Sequence, residues 1–147
     1  MDVSRIQISL DGDRDTFAGQ QEIAGEITLG AINVHDVKAL ELSVLWYTEG
    51  KGEEDLAVHY FQRFEATSEQ PLPAAPLRFR VKLPESPLSY AGLIVKIQWC
   101  VRLRIFPAIG KEVVVDRPFR LGDVPSPSEN DLSGPTNPVS PVVGKLA

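Results

Sequence analysis

The chain has 147 residues, 43% of them hydrophobic, and a formal charge of −5. That length suits one domain with a tail, able to bury roughly two-thirds of its unfolded surface without covalent staples. The acidic balance argues against nucleic acid as a partner, since phosphate contacts call for basic surface; one cysteine excludes an intrachain disulfide; and no run of about 18 apolar residues is present to cross a bilayer.

The opening MDVSRIQISL interleaves polar residues and lacks an apolar leader core, so the expected location is cytoplasmic. Residues 3–10 read as a first strand with Ile6, Ile8 and Leu10 inward, ending at DGDRD. Residues 21–30 follow, with Ile23, Ile27 and Leu29 alternating against Glu22, Glu26 and Thr28. Gly25 sits in mid-strand, where a glycine marks a bulge or a close backbone approach. A third run, 37–47, turns Leu40, Leu42, Val44 and Trp46 inward, and the polar loop TEGKGEED comes after it.

The fourth run, AVHYFQRFEA at 57–66, has no consistent face: Phe61 is out of phase with Val58, Tyr60 and Phe64. EQPLPAAP carries three prolines and reads as a connection. LRFRVKL then places Leu77, Phe79, Val81 and Leu83 inward and Arg78, Arg80 and Lys82 outward. After the proline-punctuated PESPLSYAG comes the longest alternation. Val95, Ile97, Trp99, Val101, Leu103 and Ile105 share one face; Lys96, Gln98, Cys100, Arg102 and Arg104 share the other. PAIG makes a turn into a seventh run over 111–121.

No stretch of ten or more residues carries a helical apolar period. Seven short strands of this kind predict an all-β fold, an antiparallel sandwich of two sheets packed face to face over residues 1–122. Trp46 and Trp99 belong to its core on this reading. Residues 123–147 are rich in Pro, Ser and Asn, with Pro135, Pro138 and Pro141 three apart; a disordered tail is the expectation.

Candidate chemistry is sparse. Asp11, Asp13 and Asp15 alternate, and Glu22 stands at the twelfth place from Asp11, as in a calcium-binding loop. Thr16 occupies the position that needs glycine, and the flanks are strands, so a polar hairpin loop is the plainer reading. Glu49, Glu53, Glu54 and Asp55 form an acidic loop, suited to solvation or to a basic partner. His35 and His59 do not make a metal set. Cys100 has an arginine neighbour that lowers a thiol pKa, but no paired base, and reads as a bystander. The glycine-rich phosphate loops, the nucleophile elbow and the zinc-protease motif are absent. No enzyme activity and no cofactor are expected.

The best lead is basic. Arg78, Arg80 and Lys82 share one outward row; Lys96, Arg102 and Arg104 share another. If these two strands pair as a hairpin through PESPLSYAG, the rows lie about 4.8 Å apart and their fields add. Arginine holds carboxylate and phosphate bidentately, so the rows would form a groove for an acidic or phosphorylated peptide. The plainer alternative is a solvated face balanced by Glu22, Glu26 and Glu41.

Three segments resemble the arrestin-like family. FAGQQEIAGEITL, from Phe17 to Leu29, is similar to its second-strand segment, with Ala18-Gly19-Gln20 in place of Pro-Gly-Glu and Gly25 at the second glycine. VKALELSVLWYTEGKG at 37–52 resembles the strand that follows. LPESPLSYAGLIVKIQWCVRLRI matches a third segment at Leu83, Pro84, Ser89, Tyr90 and Gly92, with Trp99 where tyrosine is usual. The resemblance spans most of residues 3–121. It implies an immunoglobulin-like, arrestin-type sandwich and a non-catalytic adaptor or scaffold role toward proteins or membrane cargo. Arrestins carry two such sandwiches and this chain has room for one, which implies a module that binds one peptide or pairs with another subunit. The expectation is therefore a protein-interaction module whose partner and oligomeric state are open; the alternative is a calcium-dependent module that binds a surface or membrane through DGDRD.

Overall fold

Period-two patterning dictates strands, and in the computed structural model, which describes residues 5–30, 32–52, 54–67, 72 and 76–122, it forms nine. They are β1 (Gln7–Leu10), β2 (Thr16–Phe17), β3 (Glu22–Thr28), β4 (Val37–Gly50), β5 (Leu56–Glu65), β6 (Leu77–Lys82), β7 (Tyr90–Ala91), β8 (Val95–Pro107) and β9 (Val113–Leu121). Seven of these are the strands expected from the sequence. The two additions, β2 and β7, are two residues long, too short to show a period. Two short 3₁₀ turns, Asp11–Asp13 and Val34–Asp36, complete the elements. No helix among the described residues is long and apolar enough to cross a membrane.

The strands make two sheets. One has the order β1-β3-β6. The other runs β2-β9-β8-β4-β5, with β7 also paired to β8. Pairings are antiparallel except that of β2 with β9. The sheets pack face to face as an immunoglobulin-like, arrestin-type sandwich. Ile8, Leu10, Ile23, Ile27, Phe79 and Val81 meet Leu40, Leu42, Val44, Trp99, Val101, Leu103 and Ile105 in one core. Trp99 is fully buried, as the alternation predicts, whereas Trp46 is partly buried at the margin. Phe119 lies 5.8 Å from Trp99 and 5.7 Å from Phe17, ring centre to ring centre, extending the aromatic core toward β2.

One expectation is overturned. β6 and β8 do not form a hairpin: β6 pairs with β3, and β8 pairs with β4 and β9 in the other sheet. PESPLSYAG is the crossover between the sheets, and it is pinned along its length. The Trp99 indole N–H donates to the Pro87 carbonyl at 2.7 Å. The Ser89 N–H donates to the Leu121 carbonyl, and the Leu121 N–H donates to Ser89 Oγ, both at 2.8 Å. These bonds satisfy buried polar groups that a hairpin would have paired along its own ladder. The proposed tail, 123–147, lies outside the described residues.

Candidate interaction surfaces

Because β6 and β8 belong to different sheets, their outward rows face opposite sides of the sandwich. The six basic residues therefore do not form one groove. On the β6 side, Arg78 donates to Asp11 and to Glu26, the latter at 3.2 Å, and Arg80 lies 3.4 Å from Glu22. Lys82 stands opposite Glu22 across the ladder. The Arg78 guanidinium holds the Asp11 carboxyl below the ordinary carboxylate value, chiefly through that hydrogen bond.

On the β8 side, Arg102 holds Asp116 bidentately at 2.8 and 3.0 Å and lies over the Tyr47 ring, 5.8 Å from its centre. Arg104 donates to Glu112 at 3.0 Å, and Lys96 stands opposite Glu49. Four of the six cations are thus ion-paired and the other two have a glutamate as ladder neighbour. Exposed pairs of this kind contribute little to stability. Their larger effect is to cancel the positive field that would have steered an anionic peptide.

The DGDRD carboxylates diverge. Asp11 takes Arg78, Asp13 faces Arg117 at 3.9 Å, and Asp15 accepts from the Thr16 hydroxyl at 3.2 Å. Among the described residues, no three His, Cys, Asp or Glu side chains converge as ion ligands. The acidic loop is closed by Thr48, whose N–H donates to the Asp55 carbonyl at 2.9 Å while its hydroxyl accepts from the Asp55 N–H at 2.8 Å. Glu49, Lys51 and Glu54 line a water-sized crevice there with Val95; Glu53 lies outside the described residues.

Cys100 is on the outward face of β8, as expected, yet is fully buried under its neighbours. Its thiol pKa is pushed up to about 12, first by burial and then by the Asp116 charge, with Arg102 pulling the other way. An arginine neighbour does not activate this thiol, because desolvation of the thiolate outweighs it.

The surface that residue-by-residue reading missed is β5, which among the described residues pairs with β4 alone and forms one edge of the larger sheet. Its ladder shifts between Val44 and Leu45, so that both Val58 and His59 are accommodated opposite Leu45. This β-bulge resolves the phase conflict in the sequence: Tyr60 and Phe64 turn to the core, while Val58 and Phe61 turn out. His59 is the extra residue. Its ring lies 6.2 Å from the Trp99 ring, and its Nε2 donates to the Lys82 carbonyl at 2.7 Å. That bond caps a carbonyl on the edge of β6 and uses no backbone group of β5.

Two hydrogen bonds set the phase of the β5 edge. Ala66 N–H donates to Lys38 C=O, and Thr48 N–H donates to Asp55 C=O. In an antiparallel ladder bonded and non-bonded pairs alternate. Tyr60, Gln62, Phe64 and Ala57 therefore turn their backbone groups toward β4, and Leu56, Val58, Phe61, Arg63 and Glu65 turn theirs to the open edge. The side chains of these same five residues lie on the outer face. Leu56, Val58 and Phe61 are 54%, 50% and 53% exposed, and they continue an apolar strip from Leu45 and Cys100, which are buried on that face. The other edges differ. β6 carries Arg78, Arg80 and Lys82 with the His59 cap, β1 is four residues long and β2 two.

No family model matches the chain, and no curated protein matches it by sequence. Solved structures do. The crystal structure of Spo0M, a sporulation control protein from Bacillus subtilis, superposes with a TM-score of 0.51 at 11% identity, over 84% of this chain and 51% of that one. The chain thus spans about half the length of Spo0M. The superoxide reductase (neelaredoxin) of Ignicoccus hospitalis gives a TM-score of 0.47 at 11% identity, covering 80% of each chain, and no argument rests on it. The likeness to Spo0M shows the fold, an arrestin-type sandwich, and at this identity the fold alone.

Proposed function

We propose that the chain is a non-catalytic protein-interaction module that receives an extended partner strand along the open edge of β5. The observation that carries this reading is the coincidence on one strand of ladder groups unpaired among the described residues and exposed apolar side chains at Leu56, Val58 and Phe61. Strand addition draws affinity from main-chain hydrogen bonds and specificity from alternate side chains, and β5 offers both on one side. The likeness to a sporulation control protein supports a regulatory or adaptor role in general terms. An acidic or phosphorylated peptide on the basic rows is the weaker reading, since the rows face apart and their arginines are already paired.

The test is capture from source-cell lysate by three folded proteins: wild type, Phe61→Lys, and Arg78/Arg80/Arg102/Arg104→Glu. The reading predicts a partner held by wild type and the four-arginine variant and lost by Phe61→Lys. Loss in the four-arginine variant with retention in Phe61→Lys would overturn it in favour of the basic rows.

A further inference from the structure

We propose that the turn at Leu93 and Ile94, with the carboxylates of the loop beside it, is a second interaction surface, one that takes a basic amphipathic segment of a partner protein. It lies at an end of the sandwich and does not rest on the strand-addition reading of β5. β7 and β8 form a tight hairpin: Tyr90 pairs with Ile97, Ala91 pairs with Lys96, and the Gly92 N–H donates to the Val95 carbonyl at 3.0 Å. Leu93 and Ile94 are therefore the two residues of its loop. Such loops favour glycine, asparagine or aspartate, whose positive φ matches the twist of the flanking strands. Among the described residues positive φ at non-glycine positions is confined to Asp13 and Gln20, so Leu93 and Ile94 do not adopt it. The chain thus places two large aliphatic side chains, 76% and 70% exposed, where neither turn geometry nor the core makes use of them.

The turn is held in place by its neighbours. Gly50 of β4 stands opposite Val95, and a Cβ there would collide with the Ile94 carbonyl, so glycine lets β4 pass close beside the turn. That approach sets the loop between β4 and β5 against it: Glu49, Lys51 and Glu54 line a crevice with Val95. Residues 48–55 carry four carboxylates and one lysine, and Lys96 stands opposite Glu49. On the sheet faces arginines neutralise carboxylates, whereas no ion pair among the described residues includes Glu49, Glu54 or Asp55. This end of the molecule is therefore apolar at its tip and acidic beside it. It complements a segment that is apolar on one face and carries Lys or Arg on the other. An anionic bilayer fits less well. Its headgroups would meet these carboxylates, and two aliphatic side chains hold less hydrocarbon than a single myristoyl chain, which itself binds membranes only marginally. The hairpin fixes the backbone of the turn beforehand, so docking costs little ordering.

The test is a fluorescence-anisotropy titration of the full chain against two labelled synthetic peptides, an amphipathic repeat of Leu and Lys and its Leu and Glu counterpart. Beside wild type stand Leu93→Asn/Ile94→Gly, which installs the favoured two-residue turn, and Glu54→Lys/Asp55→Lys. Wild type is expected to bind the Leu–Lys peptide, less tightly as salt rises, and not the Leu–Glu peptide. Both variants are expected to bind it roughly tenfold more weakly or worse. The urea midpoint of Leu93→Asn/Ile94→Gly should stand at or above that of wild type, which separates lost binding from lost folding. Failure of wild type to bind the Leu–Lys peptide overturns the proposal. So does equal binding by Leu93→Asn/Ile94→Gly, which would leave charge alone as the attraction. Sedimentation with phosphatidylcholine–phosphatidylglycerol vesicles covers the other occupant: capture of wild type that is lost in Leu93→Asn/Ile94→Gly overturns the protein segment in favour of a bilayer.

Discussion

A methyl group added at Gly25 would sit 2.3 Å from the Ser9 carbonyl oxygen and 2.8 Å from the Phe79 ring. The ring can shift; the backbone oxygen of β1 is held by its ladder to β3. Gly25→Ala is therefore expected to cost about 1–3 kcal/mol, as overpacking does, read as a lower urea midpoint with an unchanged slope. Cys100 gives a second residue-scale prediction. Its folded pKa, about 12, lies above the ordinary thiol value of 9.0. The neutral thiol is thus preferred by the fold. Its contribution to stability is fully present below pH 9 and is lost as pH rises from there toward 12. Urea unfolding should show stability falling more steeply over that window in wild type than in Cys100→Ala. The native thiol should also resist alkylation until the chain unfolds; rapid reaction of the folded protein would contradict the burial.

At the scale of elements, Trp99 joins three of them. Its ring packs on Phe119 of β9 and beside His59 of β5, and its indole N–H holds the crossover at Pro87. Trp99→Phe keeps most of the apolar bulk and orphans a buried carbonyl. It is expected to cost about 1–3 kcal/mol in chemical denaturation, and Trp99→Ala about 3–5 kcal/mol. The long strands and their inward faces were legible in the sequence because strict alternation on β3, β4, β6 and β8 fixes which side is buried. Two things were not. A sequence in which a basic strand, a proline-containing link and a second basic strand follow in order looks like a hairpin, and only the pins at Pro87 and Ser89 show that the link changes sheets. The β5 edge was hidden for the opposite reason. The phase conflict at Phe61 is the signature of a bulge, but a bulge can be placed only when the opposing strand is known, and Leu45 lies thirteen residues upstream of Val58.

Across the whole molecule, surface charge and open edge are distributed differently. Both outer faces carry arginines matched to carboxylates, so charge reversal at one row, Arg78/Arg80→Glu, should break these pairs, set like charges beside Asp11, Glu22 and Glu26, and lower the urea midpoint while leaving the far sheet unchanged. The three-stranded sheet offers short or cationic edges, whereas the larger sheet ends in ten residues of β5 whose outward side chains are apolar at one end. Long apolar edges are the places where sheets recruit another strand. The direct test is residue-resolved amide exchange along β5 in the free chain in dilute solution and with the partner captured from lysate bound. In dilute solution Tyr60, Gln62 and Phe64 should be protected by β4 while Phe61, Arg63 and Glu65 exchange quickly, and when the captured partner is bound the second set should become protected. Uniform protection of both sets in dilute solution would mean that the edge is already covered within one chain, and would contradict the account.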